Sequence, residues 1–566
     1  IYKYQMKISI KQSFLNIVII LLFICFSETC NSQSFVFRQH PKYEVRAVWL
    51  TTIGGLDWPH SYAQTETSIK KQKKELIDIL NKLKKANINT ILFQTRIRGT
   101  VIYPSSIEPW DGCCSGFPGK SPGYDPLEFA IAECHKRGME LHAWIVTIPV
   151  GKWNGIGCRT LRNKYPNLVI KNGGEGFIDP SNILAAQYIS DICKEISDNY
   201  DIDGIHLDYI RYPEKWKLEI PLSKARKNIT NIVKEIYNKV KSTKPWVKLS
   251  CAPIGKYDDL TRYSSRGWNA YKKGCQDAQS WIKQGLMDQL YPMMYFRGNQ
   301  FYPFAIDWKE NCNNRTIIPG LGIYFLDTSE GNWNIDEIKR QMYVTRSHGM
   351  GYAFFRNKFF YDNTKGLYSF TKDEFNLYPA LTPPMEWAKA PVPQSPQNLS
   401  VKVTDKNEII TWDKSDNNYG GIMYNVYVSK KYPVDINDSR NILATRIKDN
   451  YIAIETDSKC DLFYAVTSID RYGNESIPTQ QKQSDKSAIT DKFIKNDGKK
   501  LLLPDKGKTL DSEYVIVKSL AGNIISIHPY KGKYADISNL ENGCYILLSL
   551  NKKDIAHRLG YFMIKR

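Results

Sequence analysis

Asp203-Gly204-Ile205-His206-Leu207-Asp208-Tyr209-Ile210-Arg211-Tyr212-Pro213 decides how this chain reads. Ile202 to Leu207 has the character of a buried strand, follows a helical segment and stops on a carboxylate. In a parallel α/β barrel the C-terminal end of each strand faces the active site, so Asp208 is the first candidate for chemistry. The competing explanations are a cap for the next element or a pair with Arg211. His206 shares a strand face with Asp208 at the period of two, so it either tunes that carboxylate or fills the barrel core.

On either side, apolar strands alternate with helical periodicity from about Tyr43 to Phe360, the signature of a βα repeat. Eight strands are expected: Glu44–Thr52, Ile88–Thr95, Met139–Val146, Ile202–Leu207, Val247–Ala252, Met287–Met293, Thr316–Leu321 and Gly351–Phe355. Helices are expected at Pro126–Lys136, Ile183–Ser197, Leu222–Val240, Ala278–Gln284 and Ile335–Arg346, with a further one carrying Ile69, Leu76, Leu80 and Leu83. This is the pattern of an α/β (β/α)8 TIM barrel over residues 43–385. Thr100–Tyr124 and Ile148–Pro180 read as long loops on the C-terminal face, where such barrels build clefts.

Composition then shifts. Six prolines between Pro379 and Pro396 mark a stiff linker. Short alternating strands follow over residues 392–482, and a last β-rich piece over 500–566. The order Trp412, Tyr424-Asn425-Val426-Tyr427, Tyr464-Ala465-Val466, Asp470-Arg471-Tyr472-Gly473 resembles a fibronectin type III module. The terminal piece, with its Asn542-Gly543 turn signal, is either a small accessory β domain or similar to the C-terminal sorting domains of Bacteroidetes secreted proteins.

The start of the chain reads as an export signal. Lys7 and Lys11 precede an apolar run, Phe14 to Phe26, that is too short for a confident membrane span, so residues 1–33 are expected to be a signal peptide. Cys30 is an alternative lipid-modified first residue, which would make an N-terminal lipid the only membrane link. The expected location is therefore the periplasm, the outer-membrane surface or the medium. Export permits disulfides, and Cys113, Cys114, Cys134 and Cys158 are candidates for pairing. The formal charge of +20 fits anionic envelope polymers or acidic glycans better than nucleic acid in that compartment. The eight histidines show no ligand spacing and no Gly-rich phosphate loop occurs, so no metal and no cofactor are expected.

Several further motifs accompany the aspartate strand: Glu44-Val45-Arg46-Ala47-Val48-Trp49-Leu50-Thr51, Gln94-Thr95-Arg96, Tyr103-Pro104-Ser105-Ser106 with Glu108-Pro109-Trp110, Pro122-Gly123-Tyr124-Asp125-Pro126-Leu127, His142-Ala143-Trp144, Asp179-Pro180-Ser181-Asn182 and Tyr291-Pro292-Met293-Met294-Tyr295. Together they resemble the glycosyl-hydrolase-like family 10 of bacterial envelope proteins, relatives of the divisome glycosidase that cuts denuded peptidoglycan. The resemblance covers Glu44 to about Pro379. It implies a glycosidase acting on peptidoglycan glycan or another amino-sugar polymer. One departure stands out: the family often has Asn-Pro-Tyr-Arg after the His-Ala-Trp strand, and here the chain reads Ile145-Val146-Thr147-Ile148-Pro149. A more distant likeness is to family 18 chitinases, whose acid Glu position is occupied here by Ile210.

Glycoside hydrolysis usually employs two carboxyl groups. Asp208 is the expected nucleophile or base. For the acid, Glu108, Asp288 and Asp179 are candidates. Glu108 is preferred because an apolar wall such as Trp110 raises a carboxyl pKa. Asp288 opens the sixth strand, and Asp179 has the look of a helix N-cap. Trp49, Gln94, Arg96, Trp110, His142, Trp144, His206, Arg211, Tyr291, Tyr295 and Arg356 are the candidate glycan contacts. Aromatic faces suit sugar rings, and an arginine fork suits a carboxylate such as the lactyl group of muramic acid. A non-catalytic glycan-binding protein, or a hydrolase of a dietary or host polysaccharide, is the alternative.

Overall fold

The computed structural model describes residues 40–214, 216–263, 267–403, 407–415, 420–455, 462–482, 486–488, 493–504, 512–519, 524–551 and 556–566. The expected signal peptide and Cys30 lie outside the described residues. No helix among the described residues is long and apolar enough to cross a membrane.

The first compact unit, which takes in the chain up to Ala390, is built on eight parallel strand positions. They are β1 Arg46–Leu50, β2 Thr90–Ile97, β3 Glu140–Val146, β4 Gly204–Asp208, β5 Lys248–Cys251, β6 Gln289–Leu290, β7 Thr316–Ile317 with Gly320–Leu321, and β8 Tyr352–Phe354. Each pairs with the next in chain order, and β8 returns to β1 through Arg46↔Tyr352. The seventh position closes the ring in two halves around Pro319. Thr316 and Ile317 pair with β6, whereas Gly320 and Leu321 pair with β8.

Helices α1 Glu66–Lys85, α2 Pro126–Lys136, α3 Ile183–Asn199, α4 Leu222–Thr243, α5 Ala278–Lys283, α6 Tyr302–Glu310 and α7 Ile335–Ser347 connect the strands. Their starts follow capping chemistry. Thr65 and Ser68 form a reciprocal box at α1, and Asp125 accepts from Leu127 N and Glu128 N ahead of Pro126 at α2. Asn182, rather than Asp179, caps α3; Asp179 closes the turn before it through Ser181. The apolar stripes of these helices pack on outward strand residues such as Val48, Ile91, Leu141, Ile205 and Leu249.

The inward residues form a second, separate core whose composition is partly polar. Lys248 reaches Glu140, which also accepts from Thr382 and lies 3.1 Å from His142 Nε2. The His142 ring lies against β4 at Gly204, where a Cβ would come within 2.6 Å of Nδ1; only glycine fits. One level higher, Trp49 Nε1–H donates to His206 Nε2 (3.1 Å) and His206 Nδ1 meets Ser250 Oγ (3.0 Å).

Ile148–Pro180 is not an open loop. It folds as a three-stranded antiparallel sheet, Pro149–Lys152, Val169–Asn172 and Glu175–Ile178, with a helix at Ile156–Lys164. Cys113, Cys114, Cys134 and Cys158, the candidates for pairing, are all free thiols.

The second unit consists of antiparallel β structure. Gln397–Val403, Asn407–Asp413 and Tyr451–Glu455 lie in one four-stranded sheet, and Met423–Ser429, Ile442–Ile447 and Phe463–Ile469 in another. Leu399, Val401, Ile410, Trp412, Tyr424, Val426, Tyr464 and Val466 form one buried cluster. A further sheet carries Ser512–Ser519, Ile524–Pro529, Gly543–Asn551 and Ala556–Ile564, with its own apolar core.

Replacing Glu140 by Gln should leave the Lys248 ammonium without a counter-charge inside the barrel. The expected cost is about 3–5 kcal/mol, read as a lower urea midpoint for the barrel; an unchanged midpoint would refute the structural role of the pair.

Candidate active site

Asp208 is the last residue of β4 and is 9% exposed. Its two carboxylate oxygens have different partners. Tyr209 N–H donates to Oδ1 (2.7 Å) and Trp144 Nε1–H donates to Oδ2 (3.2 Å). Its carbonyl accepts from both N–H and Oγ1–H of Thr147, each at 2.9 Å, which ties the end of β4 to the end of β3. Tyr209 has φ of 51°, a left-handed conformation rare for a large side chain. That turn is what aims its N–H back at the preceding carboxylate. Strain of this kind concentrates at functional sites.

Burial pushes the Asp208 pKa above its ordinary value, against the Arg211 charge and the two hydrogen bonds, which pull it down. The donors orient a carboxylate, and the burial makes it more basic than a solvated one.

Arg211 lies beside it. Its guanidinium carbon is 3.7 Å from the centroid of the Tyr209 ring and its Nη2 donates to Glu214 Oε1 (2.8 Å). The side chain is only 4% exposed, and Nε and Nη1 have no partner. Buried donors are rarely left unmade, so these two nitrogens, both sealed from solvent, are exceptions. Tyr295 is half-buried and stacked on Phe355 (5.3 Å), with Tyr324 edge-on at 5.7 Å; burial and then the Asp208 charge raise its hydroxyl pKa. Tyr209, Met293 and Phe355, also half-buried, pack on the inner core from the same end.

Asp208, Trp144, Arg211 and Tyr295 are thus brought together, and the remaining candidates are not. His206 is bonded to Trp49 and Ser250 rather than to Asp208, and burial drives its pKa well down, so it is a neutral core histidine. Trp49, His142 and Tyr291 are fully buried inside the barrel, with the Tyr291 hydroxyl on Gln289. Gln94 Oε1 accepts from Thr52 N and Ile53 N and so pins the loop after β1. Arg356 sits at the rim, bonded to Leu56 O and Asp57 Oδ1. Trp110 is half-buried in a bridge to Val101.

The acid candidates require correction. Glu108 is engaged by Arg96 through two bonds (2.8 and 2.6 Å) and by the Tyr188 hydroxyl, all buried. Arg96 extends the link to Val146 O and Thr147 O. Glu108 is therefore a brace beneath the end of β3, not a free acid beside Trp110. Asp288 lies at the opposite end of the barrel. It accepts from Leu249 N, Lys241 Nζ and Trp387 Nε1. Asp203, at the start of the β4 segment, is likewise bonded to Leu141 N and His135.

The sequence comparisons bear on this arrangement. Residues 44–325 match the profile named glycosyl hydrolase-like 10. The glycosyl hydrolase YngK of Bacillus subtilis (strain 168) is 28% identical over 485 residues, 79% of this chain and 94% of that protein. The glycosyl hydrolase DigH of Escherichia coli (strain K12) is 28% identical over 354 residues, 54% of this chain and 80% of that protein. The barrel belongs to the glycosyl hydrolase-like 10 family. The chain is a glycoside hydrolase. Among solved structures, the glycoside hydrolase domain of PgaB from Bordetella bronchiseptica is 13% identical, covers 59% of this chain and 99% of its own, and has a TM-score of 0.43, too low to carry an argument about the site.

Within this hydrolase, Glu214 is the residue that sequence reasoning missed. Its charge reaches Asp208 and it holds Arg211. Its only sequence signal is its place three residues after Arg211, in a loop that breaks at Pro213.

Glu108→Gln should break the Arg96 brace and lower the urea midpoint by an amount equivalent to about 3–5 kcal/mol. A variant that lost hydrolysis with its stability intact would restore Glu108 as the acid.

Proposed function

We propose that this glycoside hydrolase cleaves the glycan strands of denuded peptidoglycan, or of a similar amino-sugar polymer, at the C-terminal end of β4. The observation that carries the proposal is the buried Asp208 carboxylate. It is raised in pKa yet held by two donors, beside a buried arginine whose Nε and Nη1 have no partner. Asp208 acts as nucleophile or general base on the anomeric side. Glu214, the exposed partner of Arg211, supplies the second carboxyl that such hydrolysis needs. Tyr295 and Phe355 offer aromatic faces to a sugar ring. A guanidinium fork matches a carboxylate, so a muramic-type sugar that reached the buried Nε and Nη1 of Arg211 would pair with them.

The chain works outside the cytoplasm on this reading, supported by the lysines and apolar run of residues 7–26. The two sheets over residues 397–480 act as a fibronectin type III-like accessory module.

The test is release of reducing ends from denuded peptidoglycan. Asp208→Asn should lower the rate by roughly 10²–10⁴-fold; wild-type turnover by that variant would end the proposal. The acid limb of kcat/KM should lie above the ordinary aspartate value of 3.8, because activity is lost as pH falls through the raised pKa. Arg211→Gln removes a charge that lowers that pKa, so the limb should move further up. A shift downward would contradict the assignment.

A further inference from the structure

A cavity of about 440 Å³ lies among the loops that follow β1, β2 and β3, on the same end of the barrel as Asp208. Its size falls within the range of small-molecule sites. Tyr62, 57% exposed, presents an aromatic wall. Four charged residues line it: Arg98, Asp111, Lys152 and Glu175. The Asp111 carboxylate is already engaged, accepting from Thr100 Oγ1 (2.7 Å) and Cys113 N (2.8 Å). Lys152 and Glu175, of opposite charge, stand opposite each other on paired strands. Arg98 is exposed at the cavity wall, and its guanidinium bonds to no described residue.

Arg98 also occupies a costly position. Thr90–Ile97 and Thr100–Val101 form a hairpin, so Arg98 and Gly99 are its two turn residues, with φ of 59° and 68°. Such turns favour Asn, Asp or Gly, and an arginine there is strained. Beneath it, Gly151 gives it room: a Cβ at Gly151 would meet Arg98 Cβ at 2.8 Å. A residue that fits its turn poorly, over a floor cleared for it, with its charge unspent, points to a ligand.

We infer that this cavity is a distal glycan subsite, in which a sugar ring stacks on Tyr62 and a carboxylate of that sugar pairs with Arg98. The inference rests on the glycan-strand reading of the Asp208 cleft and adds to it a second contact point along the strand.

Calorimetry on the full chain with two probes tests it. One is a hexamer of alternating N-acetylglucosamine and N-acetylmuramic acid cut from denuded peptidoglycan. The other is the same hexamer with its carboxyls reduced to alcohols. Asp208→Asn serves as the background so that the probes stay intact. Adding Arg98→Asn should leave the melting temperature unchanged or higher, since asparagine suits the turn. It should weaken the carboxylated hexamer by roughly tenfold to a hundredfold, the worth of a charge-assisted bond, and leave the reduced hexamer unaffected. Tyr62→Ala should weaken both. If Arg98→Asn binds the carboxylated hexamer as tightly as its parent, or weakens both probes equally, the subsite is wrong while the cleft reading stands. If the parent binds neither probe and the wild type cleaves no strand, the cleft reading and the subsite fall together.

Discussion

The carboxylate of Asp208, taken out of water and held between an indole N–H and a backbone N–H, is the interaction on which the site depends. Without the Trp144 and Tyr209 donors, a buried aspartate would stay protonated or turn away, because an unpaired charge is costly to bury. With them, and with Arg211 alongside, it remains a directed acceptor whose basicity is raised by its surroundings. Neighbouring elements fix each donor: Trp144 stands on β3, and Tyr209 is turned by its left-handed backbone.

The polar interior of the barrel supports that geometry from below. Glu140 with Lys248 and His142, and above them Trp49 with His206 and Ser250, join several strands through side chains as well as through the ladder. Arg96, held by Glu108, does the same outside the ring by donating to the carbonyls of Val146 and Thr147, and Thr147 in turn binds Asp208. A buried hydrogen-bonded network of this kind limits the ways a core can pack. The carboxylate is placed at the end of a braced strand, and Glu214, Tyr209 and Tyr295 lie beyond the strand ends.

Much of the fold was legible because it rests on period and capping. The helix starting at Pro126 follows from Asp125, and the strand ending at Asp208 follows from a short apolar run closed by a charge. What a period of two cannot give is depth. It assigns His142, Trp144, His206 and Asp208 to one inward face but does not say which level of the barrel each occupies. Hence His142, His206 and Tyr291 read as cleft residues and turn out to be core. Glu108 misled for another reason: its partners Arg96 and Tyr188 lie 12 and 80 residues away, and nothing local announces them. The Pro149–Ile178 insertion lacked long periodic stretches, since its strands are four residues each.

The most direct test of the account is the titration of Asp208 itself, followed by carboxyl carbon NMR with Asp208→Asn as the reference for assignment. The account predicts a midpoint above 3.8 that rises further when Arg211 is replaced by Gln. A midpoint at or below 3.8, unmoved by that substitution, would mean that the carboxylate is an ordinary solvated one and would contradict the central claim.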